Sequence, residues 1–187
     1  MKIPRPMLIA VGVAPLVALF ALLAWGVFRN DANPGSLAVF NNMGEVTIGS
    51  QPMPPFTLEL YNGSQFSSES LGGKVVMIDF WASWCPPCRA EAAGLETVWQ
   101  EYEDRGDVAF VGVAIWDRDA DALKFLQQSQ ASYSIGKDPK GNLAVEFGVT
   151  GIPEKYFIGP QGQVLRKFVG PIDEGRLRSV LDDVLNR

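Results

Sequence analysis

The sequence predicts an α/β domain in which helices flank a mixed central β-sheet. Two apolar runs, Val75–Trp81 and Val108–Trp116, have the nearly continuous hydrophobic composition of strands covered on both faces. A helical stretch follows each run, and this alternation favours a parallel pair of strands. Later, Lys155–Ile158 and Val164–Val169 flank a four-residue Gly-Pro-Gln-Gly loop, which predicts an antiparallel hairpin. An earlier strand is expected at Phe56–Leu60, before an Asn-Gly turn signal.

Four helices are predicted around this sheet. The last helix has the clearest pattern, because its apolar residues recur at i, i+3, i+4 and i+7 after Asp173, a candidate N-cap. In the second helix we expect Leu123 and Leu126 to face the core. In chain order the helices are expected at Cys85–Tyr102, at Asp119–Gln130, at Asn142–Phe147, and around Leu177, Val180, Leu181 and Val184.

The N-terminal part is predicted to anchor the chain in a membrane. Met7–Phe28 is a run of 22 uncharged residues, and a helix of that length spans a hydrocarbon core of about 30 Å. A cleaved signal peptide is the alternative, but its apolar core is usually about 7–15 residues long. Lys2 and Arg5 precede the run, which keeps the N-terminus cytoplasmic and places the rest on the periplasmic side of the inner membrane. We therefore predict a single-pass anchor at residues 1–29, a tether at 30–47 and one globular domain at 48–187.

Composition excludes several classes of function. The net charge is −5 and the isoelectric point is about 4.8, so the chain lacks the basic face that a nucleic-acid partner requires. The chain has no histidine, which excludes histidine-based catalytic triads and histidine metal ligands. With only two cysteines, it is not a disulfide-rich scaffold.

The strongest motif is Trp-Cys-Pro-Pro-Cys at residues 84–88, between a buried strand and a helix. Cys85 and Cys88, at i and i+3 on a first helical turn, are close enough to form a disulfide. The free N–H groups and the dipole at the helix N-terminus stabilise a thiolate on Cys85. Pro86 and Pro87 suit the first turn, where a missing N–H costs nothing. We expect Cys85 to be the exposed nucleophile and Cys88 to be the deeper, resolving thiol.

Other uses of the two cysteines fit less well. A disulfide that closes a four-residue ring restrains little of the unfolded chain, so a purely structural bond is disfavoured. Two thiolates without histidine leave a zinc site half empty, and Arg89 stands where haem attachment needs a histidine. We therefore expect no metal and no cofactor beyond the redox-active disulfide of Cys85 and Cys88.

Two acidic residues are predicted close to the thiols. Asp79 interrupts the buried strand six residues before Cys85, and a dry environment raises the pKa of a carboxyl group. Asp79 is therefore a candidate to take the proton of Cys88 during exchange, the alternative being local backbone bonding. Glu91 lies on the core-facing stripe of the helix, one turn from Cys88. It is a candidate for tuning the thiols, the alternative being a solvated carboxylate near the helix start.

These motifs resemble those of membrane-tethered thioredoxin-like thiol–disulfide oxidoreductases, and most of all the CcmG/DsbE, ResA and TlpA group. The resemblance covers about residues 48–187. Three matching stretches carry it: Gly73-Lys74-Val75 through Trp81 to Glu91, then Gly148-Val149-Thr150-Gly151-Ile152-Pro153-Glu154, and last Gly159-Pro160-Gln161-Gly162 with Gly170.

The resemblance implies a thioredoxin-like fold with a substrate-binding surface beside the dithiol. Pro153 is implied to be a cis-proline, although spacing alone favours trans, and the Ile152 backbone is implied to pair with an extended client. By this resemblance, Asp79 falls on the buried acid familiar from thioredoxins, and Glu91 falls on the acidic position typical of this extracytoplasmic group. The implied substrate-binding residues are Trp84, Pro86, Pro87, Thr150, Gly151, Ile152, Pro153 and Glu154.

The resemblance further implies a client and an electron donor. Members of the CcmG type reduce disulfides of apocytochrome c for cytochrome c maturation and are re-reduced by a membrane thiol carrier of the CcdA/DsbD type. The chain departs from that type at Asp79, at Ala114-Ile115-Trp116 and at Lys155-Tyr156. A general or copper-site thiol reductase of the TlpA/ResA type is therefore an alternative. A thiol-based carrier of a soft metal ion such as Cu(I) is another.

Overall fold

The structure, a computed structural model, describes residues 15–22, 43–46 and 48–187. Its contacts divide the chain into two units, Met1–Asn41 and Asn42–Arg187. In the first unit residues 15–22 are helical and are called α1. Within the described residues, no helix has both the length and the apolar character needed to cross a membrane. The rest of the predicted anchor, and the tether up to residue 42, lie outside the described residues.

The second unit is built from nine strands and four α-helices in the described residues. The prediction of an α/β domain with a mixed sheet is confirmed. In chain order the elements are β1 (Gly44–Val46), β2 (Gln51–Pro52), β3 (Thr57–Leu60), β4 (Gln65–Ser67), a 3₁₀ turn (Ser68–Leu71), β5 (Val75–Trp81), α2 (Pro86–Tyr102), a second 3₁₀ turn (Glu103–Arg105), β6 (Val108–Ile115), α3 (Asp119–Ser129), β7 (Ser134–Asp138), α4 (Asn142–Phe147), β8 (Glu154–Ile158), β9 (Gln163–Val169) and α5 (Glu174–Leu185).

The sheet has the order β1-β9-β8-β5-β6-β7-β3-β4, and β2 also pairs with β9. The predicted parallel pair is β5 with β6, and the predicted hairpin is β8 with β9. The two strand sets join where β5 pairs antiparallel with β8. This junction places Asp79 directly opposite Lys155 in the middle of the sheet.

Helices cover both faces of the central strand β5, which is buried along its whole length. Met77 and Trp81 on one face pack into a cluster with α2, α3 and α5. Ile78 and Phe80 on the other face pack into a second cluster that includes α4. Because side chains alternate along a strand, Asp79 shares the face of Met77 and Trp81 and points toward α2.

The helices largely follow the predicted pattern. Asp173 is the N-cap of α5 and accepts a hydrogen bond from the Arg176 N–H at 2.9 Å, and all four predicted apolar residues of α5 are buried. The prediction for α3 is wrong at one position, because Leu123 is 40% exposed. Ala122 and Phe125 are the buried residues of α3, and Leu126 packs against their cluster. The core-facing stripe is therefore rotated by about one residue from the predicted one.

Several strands were not predicted because their side chains lack a clear pattern. β7 has one large apolar residue, Ile135, yet pairs with both β6 and β3. A Cβ at Gly136 would lie 2.7 Å from the Leu58 Cβ, so glycine is what lets these strands approach. β1, at Gly44–Val46, pairs with β9 inside the stretch predicted as a tether. Backbone pairing at a sheet edge leaves little trace in composition.

Candidate active site

The dithiol lies at the junction of β5 and α2. Cys85 is the extended N-cap of α2, which therefore begins at Pro86, and Cys88 is in the first helical turn. The two cysteines form a disulfide with a Cα–Cα distance of 5.3 Å. The Cys88 N–H also points at the Cys85 sulfur, 3.3 Å away. In the reduced protein this donor and the helix dipole both favour a thiolate on Cys85.

Both cysteines are buried in the disulfide form. Cys85 is 2% exposed and Cys88 is 3% exposed, and both belong to the cluster that includes Met77 and Trp81. The prediction of an exposed Cys85 therefore does not hold for this state. Its neighbours Trp84 and Pro86 are exposed.

The loop before β8 contains a cis peptide between Ile152 and Pro153, as the resemblance implied and as spacing alone did not. The predicted substrate-binding residues differ in their exposure. The exposed ones are Trp84, Pro86, Thr150 and Gly151; Pro87 and Ile152 are half-buried; Pro153 and Glu154 are buried.

Glu154 is a correction to the predicted substrate-binding set. Its carboxylate is fully buried and accepts hydrogen bonds from the Thr150 hydroxyl at 3.3 Å and the Tyr156 hydroxyl at 2.6 Å. The Lys167 ammonium lies 2.7 Å from the same carboxylate. Burial, together with Glu154, raises the pKa of Tyr156, so that hydroxyl stays a donor. The Glu154 side chain thus supports the loop from inside and is not part of the exposed surface beside the dithiol.

Asp79 and Glu91 are both buried, and a buried lysine joins them. Lys155 is 0% exposed and contacts Glu91 Oε1 directly through its ammonium, which also lies 3.3 Å from Asp79 Oδ1. The second Glu91 oxygen accepts a hydrogen bond from the Ile172 N–H at 2.9 Å. The structure therefore excludes both alternatives: Glu91 is not solvated, and Asp79 does not bond to the local backbone.

Burial dominates the electrostatics of both acids. Desolvation raises the pKa of Asp79, and the nearby Lys155 ammonium opposes that rise without cancelling it. Desolvation likewise raises the pKa of Glu91, to about 7, against the same ammonium and the Ile172 N–H. Glu91 therefore exchanges its proton near neutral pH, and a buried acid with a raised pKa beside a dithiol is suited to proton transfer in thiol chemistry.

A small cavity connects Asp79 with the resolving cysteine. Its volume is about 10 Å³, room for roughly one water molecule, and its lining includes Asp79, Cys88 and Tyr133. Asp79 and Cys88 therefore share a space through which a proton can pass from one to the other.

Two features of the site were missed from sequence. Lys155 lies within a predicted strand, and its only distinguishing feature in the sequence is that it departs from related sequences. Trp116 was expected inside a buried strand, but β6 ends at Ile115 and Trp116 is exposed with a left-handed backbone, φ = 50°. The Trp84 indole donates to the Trp116 carbonyl at 3.2 Å, so two exposed indoles lie on linked turns beside the dithiol.

Comparisons with known proteins agree with this geometry. Residues 50–167 match the AhpC/TSA family. The chain is 35% identical over 165 residues to the thiol:disulfide interchange protein DsbE of Pseudomonas fluorescens biotype C, covering 87% of this chain and 85% of the relative. It is 25% identical over 186 residues to the thiol-disulfide oxidoreductase ResA of Bacillus subtilis, covering 100% of this chain and 95% of that one.

A solved structure is similar as well. A thiol:disulfide interchange protein of the thioredoxin family from Chlorobium tepidum superposes with a TM-score of 0.68 at 27% identity. The superposition covers 75% of this chain and 99% of the other.

Proposed function

The chain belongs to the AhpC/TSA family as a thiol–disulfide interchange protein of the DsbE/CcmG and ResA kind, and from this we propose that it reduces disulfides of exported proteins. The observation that carries the proposal is the Cys85–Cys88 pair at the start of α2, with two buried acids beneath it. A helix N-terminus activates one thiol, and the acids supply a proton site for the other.

The proposed reaction follows from the positions of these groups. The Cys85 thiolate attacks a client disulfide, forming a mixed disulfide and releasing one client thiolate. Cys88 gives its proton to Asp79, and the resulting thiolate attacks the Cys85 sulfur. The second client thiolate leaves, and the Cys85–Cys88 disulfide forms. Two electrons have passed to the client, and a membrane thiol carrier of the CcdA/DsbD type returns them.

The direction of transfer is tested by the reduction potential of the Cys85–Cys88 pair in the full chain, equilibrated against glutathione or dithiothreitol. We expect a value near the roughly −270 mV of thioredoxin, as a reductase requires. A value near the roughly −120 mV of a strong oxidant would mean that the protein donates disulfides instead.

We propose apocytochrome c as the client, on the strength of the relatives named DsbE. In a strain that carries Cys85→Ala, holocytochrome c should fall to the level of a deletion strain, while the variant protein accumulates normally. Normal holocytochrome c in that strain would exclude this client.

A copper-site reductase remains the second candidate, favoured by the similarity to ResA and by the departures at Asp79 and Lys155. Deletion would then abolish oxidase activity and leave cytochromes c intact.

The metal-carrier alternative requires the reduced thiols themselves as ligands. Within the described residues, no three His, Cys, Asp or Glu side chains are grouped to share a metal ion. Tight one-to-one copper binding against a chelator would support a carrier.

We also propose that residues 1–29 anchor the chain in the inner membrane with the domain in the periplasm. The uncharged run Met7–Phe28 and the preceding Lys2 and Arg5 support this. We expect the full chain in the membrane fraction after carbonate washing, with its domain open to protease in spheroplasts. A soluble periplasmic chain that begins after residue 28 would show a cleaved signal peptide instead.

A further inference from the structure

Lys155 is a fully buried lysine for which the reaction above has no role. It lies on β8 opposite Asp79 on β5, and its ammonium also contacts Glu91 on α2. A buried ammonium needs carboxylate partners to stay charged, and one partner is enough to neutralise it. Two acids around one lysine therefore leave one acid in excess, next to the cavity that Asp79 and Cys88 both line.

The two acids are not equivalent in their hydrogen bonding. Glu91 has a donor for each oxygen, the Lys155 ammonium for Oε1 and the Ile172 N–H for Oε2. Asp79 has only the 3.3 Å approach of Lys155, which lacks hydrogen-bond geometry, so its buried Oδ1 has no donor among the described residues. Donors stabilise an anion, and a missing donor favours the neutral acid. Glu91 is therefore the better carboxylate and Asp79 the better proton carrier.

We propose that Lys155 is a positioning residue that gives the two acids different roles. Its ammonium holds Glu91 as a carboxylate, and the shared proton is left on Asp79 for exchange with Cys88. In client reduction, Cys88 passes its proton to Asp79, and the disulfide form carries Asp79 protonated. In re-reduction, the disulfide opens, Cys88 leaves as a thiolate and takes that proton back. The inference rests on thiol–disulfide exchange alone and not on the client.

The charge of the cluster supports this division. With Lys155 and Glu91 charged and Asp79 protonated, the buried group is neutral, which is the least costly state in a dry interior. If both acids were ionised, a net negative charge would oppose thiolate formation on Cys88. The titratable groups facing Asp79 are Lys155 on β8, Glu91 and Cys88 on α2, and Tyr133 before β7, whose own pKa is raised by burial and by both acids.

The test is the pH profile for reduction of the Cys85–Cys88 disulfide by dithiothreitol in the full-length protein, with rates corrected for dithiothreitol thiolate. The rate falls where Asp79 loses its proton. In Lys155→Met, Asp79 loses its neighbouring cation, so the fall should move to higher pH by about one unit, a tenfold rate change on that flank. In Glu91→Gln, the Lys155 ammonium has Asp79 as its only carboxylate partner, which favours ionised Asp79. The fall in rate should therefore move to lower pH.

Opposite shifts are the signature that a structural role for Lys155 cannot produce. Asp79→Asn should abolish the fall, while Lys140→Met and Glu146→Gln, which remove the same charges from exposed positions, should leave it in place. An unchanged profile in a folded Lys155→Met protein, or shifts of one sign in both variants, overturns the inference. If Lys155→Met does not fold, the test rests on Glu91→Gln alone. A Glu91→Gln profile that does not move to lower pH then overturns the inference. If the profiles shift as expected but the Cys85→Ala strain keeps normal holocytochrome c, only the proposed client is overturned.

Discussion

Lys155 and Asp79 are direct cross-strand partners at the junction of β5 and β8, with the Lys155 ammonium 3.3 Å from Asp79 Oδ1. Side chains at paired positions of an antiparallel ladder point to the same face, so this register alone brings the lysine over the dithiol side of the sheet. α2 then adds Glu91 from above, one turn after Cys88. The buried charges are thus placed by the pairing of two strands and the packing of one helix.

Glu91 makes the stability of the protein depend on pH. Its pKa is raised by burial to about 7, so Glu91 loses its proton at a higher pH in the folded protein than in the unfolded chain. A raised acid pKa lowers stability as pH rises from the unfolded value toward the folded one. We expect the free energy of unfolding of the oxidised protein to fall by roughly 2 kcal/mol between pH 5 and 8, measured by urea titration. Glu91→Gln should reduce this fall and leave the part due to Asp79, whose pKa burial also raises, and exposed Glu146→Gln should leave the fall unchanged.

Glu154 is expected to control client affinity without touching the client. Glu154→Gln removes the buried charge that partners Lys167 and weakens the bond to Thr150 in the cis-proline loop. Breaking a buried ion pair costs about 3–5 kcal/mol, so the melting temperature should fall clearly. The KM for a disulfide peptide should rise several-fold while the reduction potential stays unchanged. A shifted potential with unchanged KM would instead place Glu154 in the redox chemistry.

Trp84 is expected to contribute to client binding and not to the chemistry. It is exposed beside Cys85, and its indole holds the Trp116 turn through one hydrogen bond. Exposed aromatic side chains at a contact surface often contribute about 1 kcal/mol or more to binding. Trp84→Ala should therefore raise the KM for a disulfide peptide about fivefold and leave the rate with dithiothreitol unchanged. Equal losses with both reagents would argue against a binding role.

The corrected orientation of α3 can be tested by a pair of leucine truncations. Leu181 on α5 is fully buried, and Leu181→Ala should lower the free energy of unfolding by about 2–5 kcal/mol. Leu123 on α3 is the exposed residue that the sequence pattern placed inside, and Leu123→Ala should change stability by about 0.5 kcal/mol or less. Denaturant titration of both variants gives the comparison. A large loss for Leu123→Ala would restore the predicted orientation.

The sequence was most informative where chemistry and burial are local. The Cys85–Cys88 spacing, the continuous apolar run of β5 and the helical period of α5 each lie within one element, and each was predicted. β7 was not predicted, because Ser134–Asp138 owes its strand state to neighbours on both sides. Exposure of Cys85 was also mispredicted, because its burial comes from packing into a cluster built by residues distant in the chain, which the local motif does not contain.

Lys155 is the member of the charged centre that could not be found from the sequence, whereas Asp79 and Glu91 were both candidates. Lysine is among the residues least often buried, so a lysine in a strand is normally assigned to the solvent face. Only the cross-strand register with Asp79 and the approach of Glu91 explain its burial, and both join residues far apart in the chain. The one available signal was the departure from related sequences at this position.

Short strands occupy both edges of the sheet in the described part of the chain. β1 and β2, of three and two residues, cover β9, and three-residue β4 ends the other side. An unfolded client brings unpaired strand segments of its own, and such segments add readily to long open edges. Edges this short give them little backbone to extend. If the clients are unfolded exported chains, as proposed, the short edges give them little backbone on which to assemble.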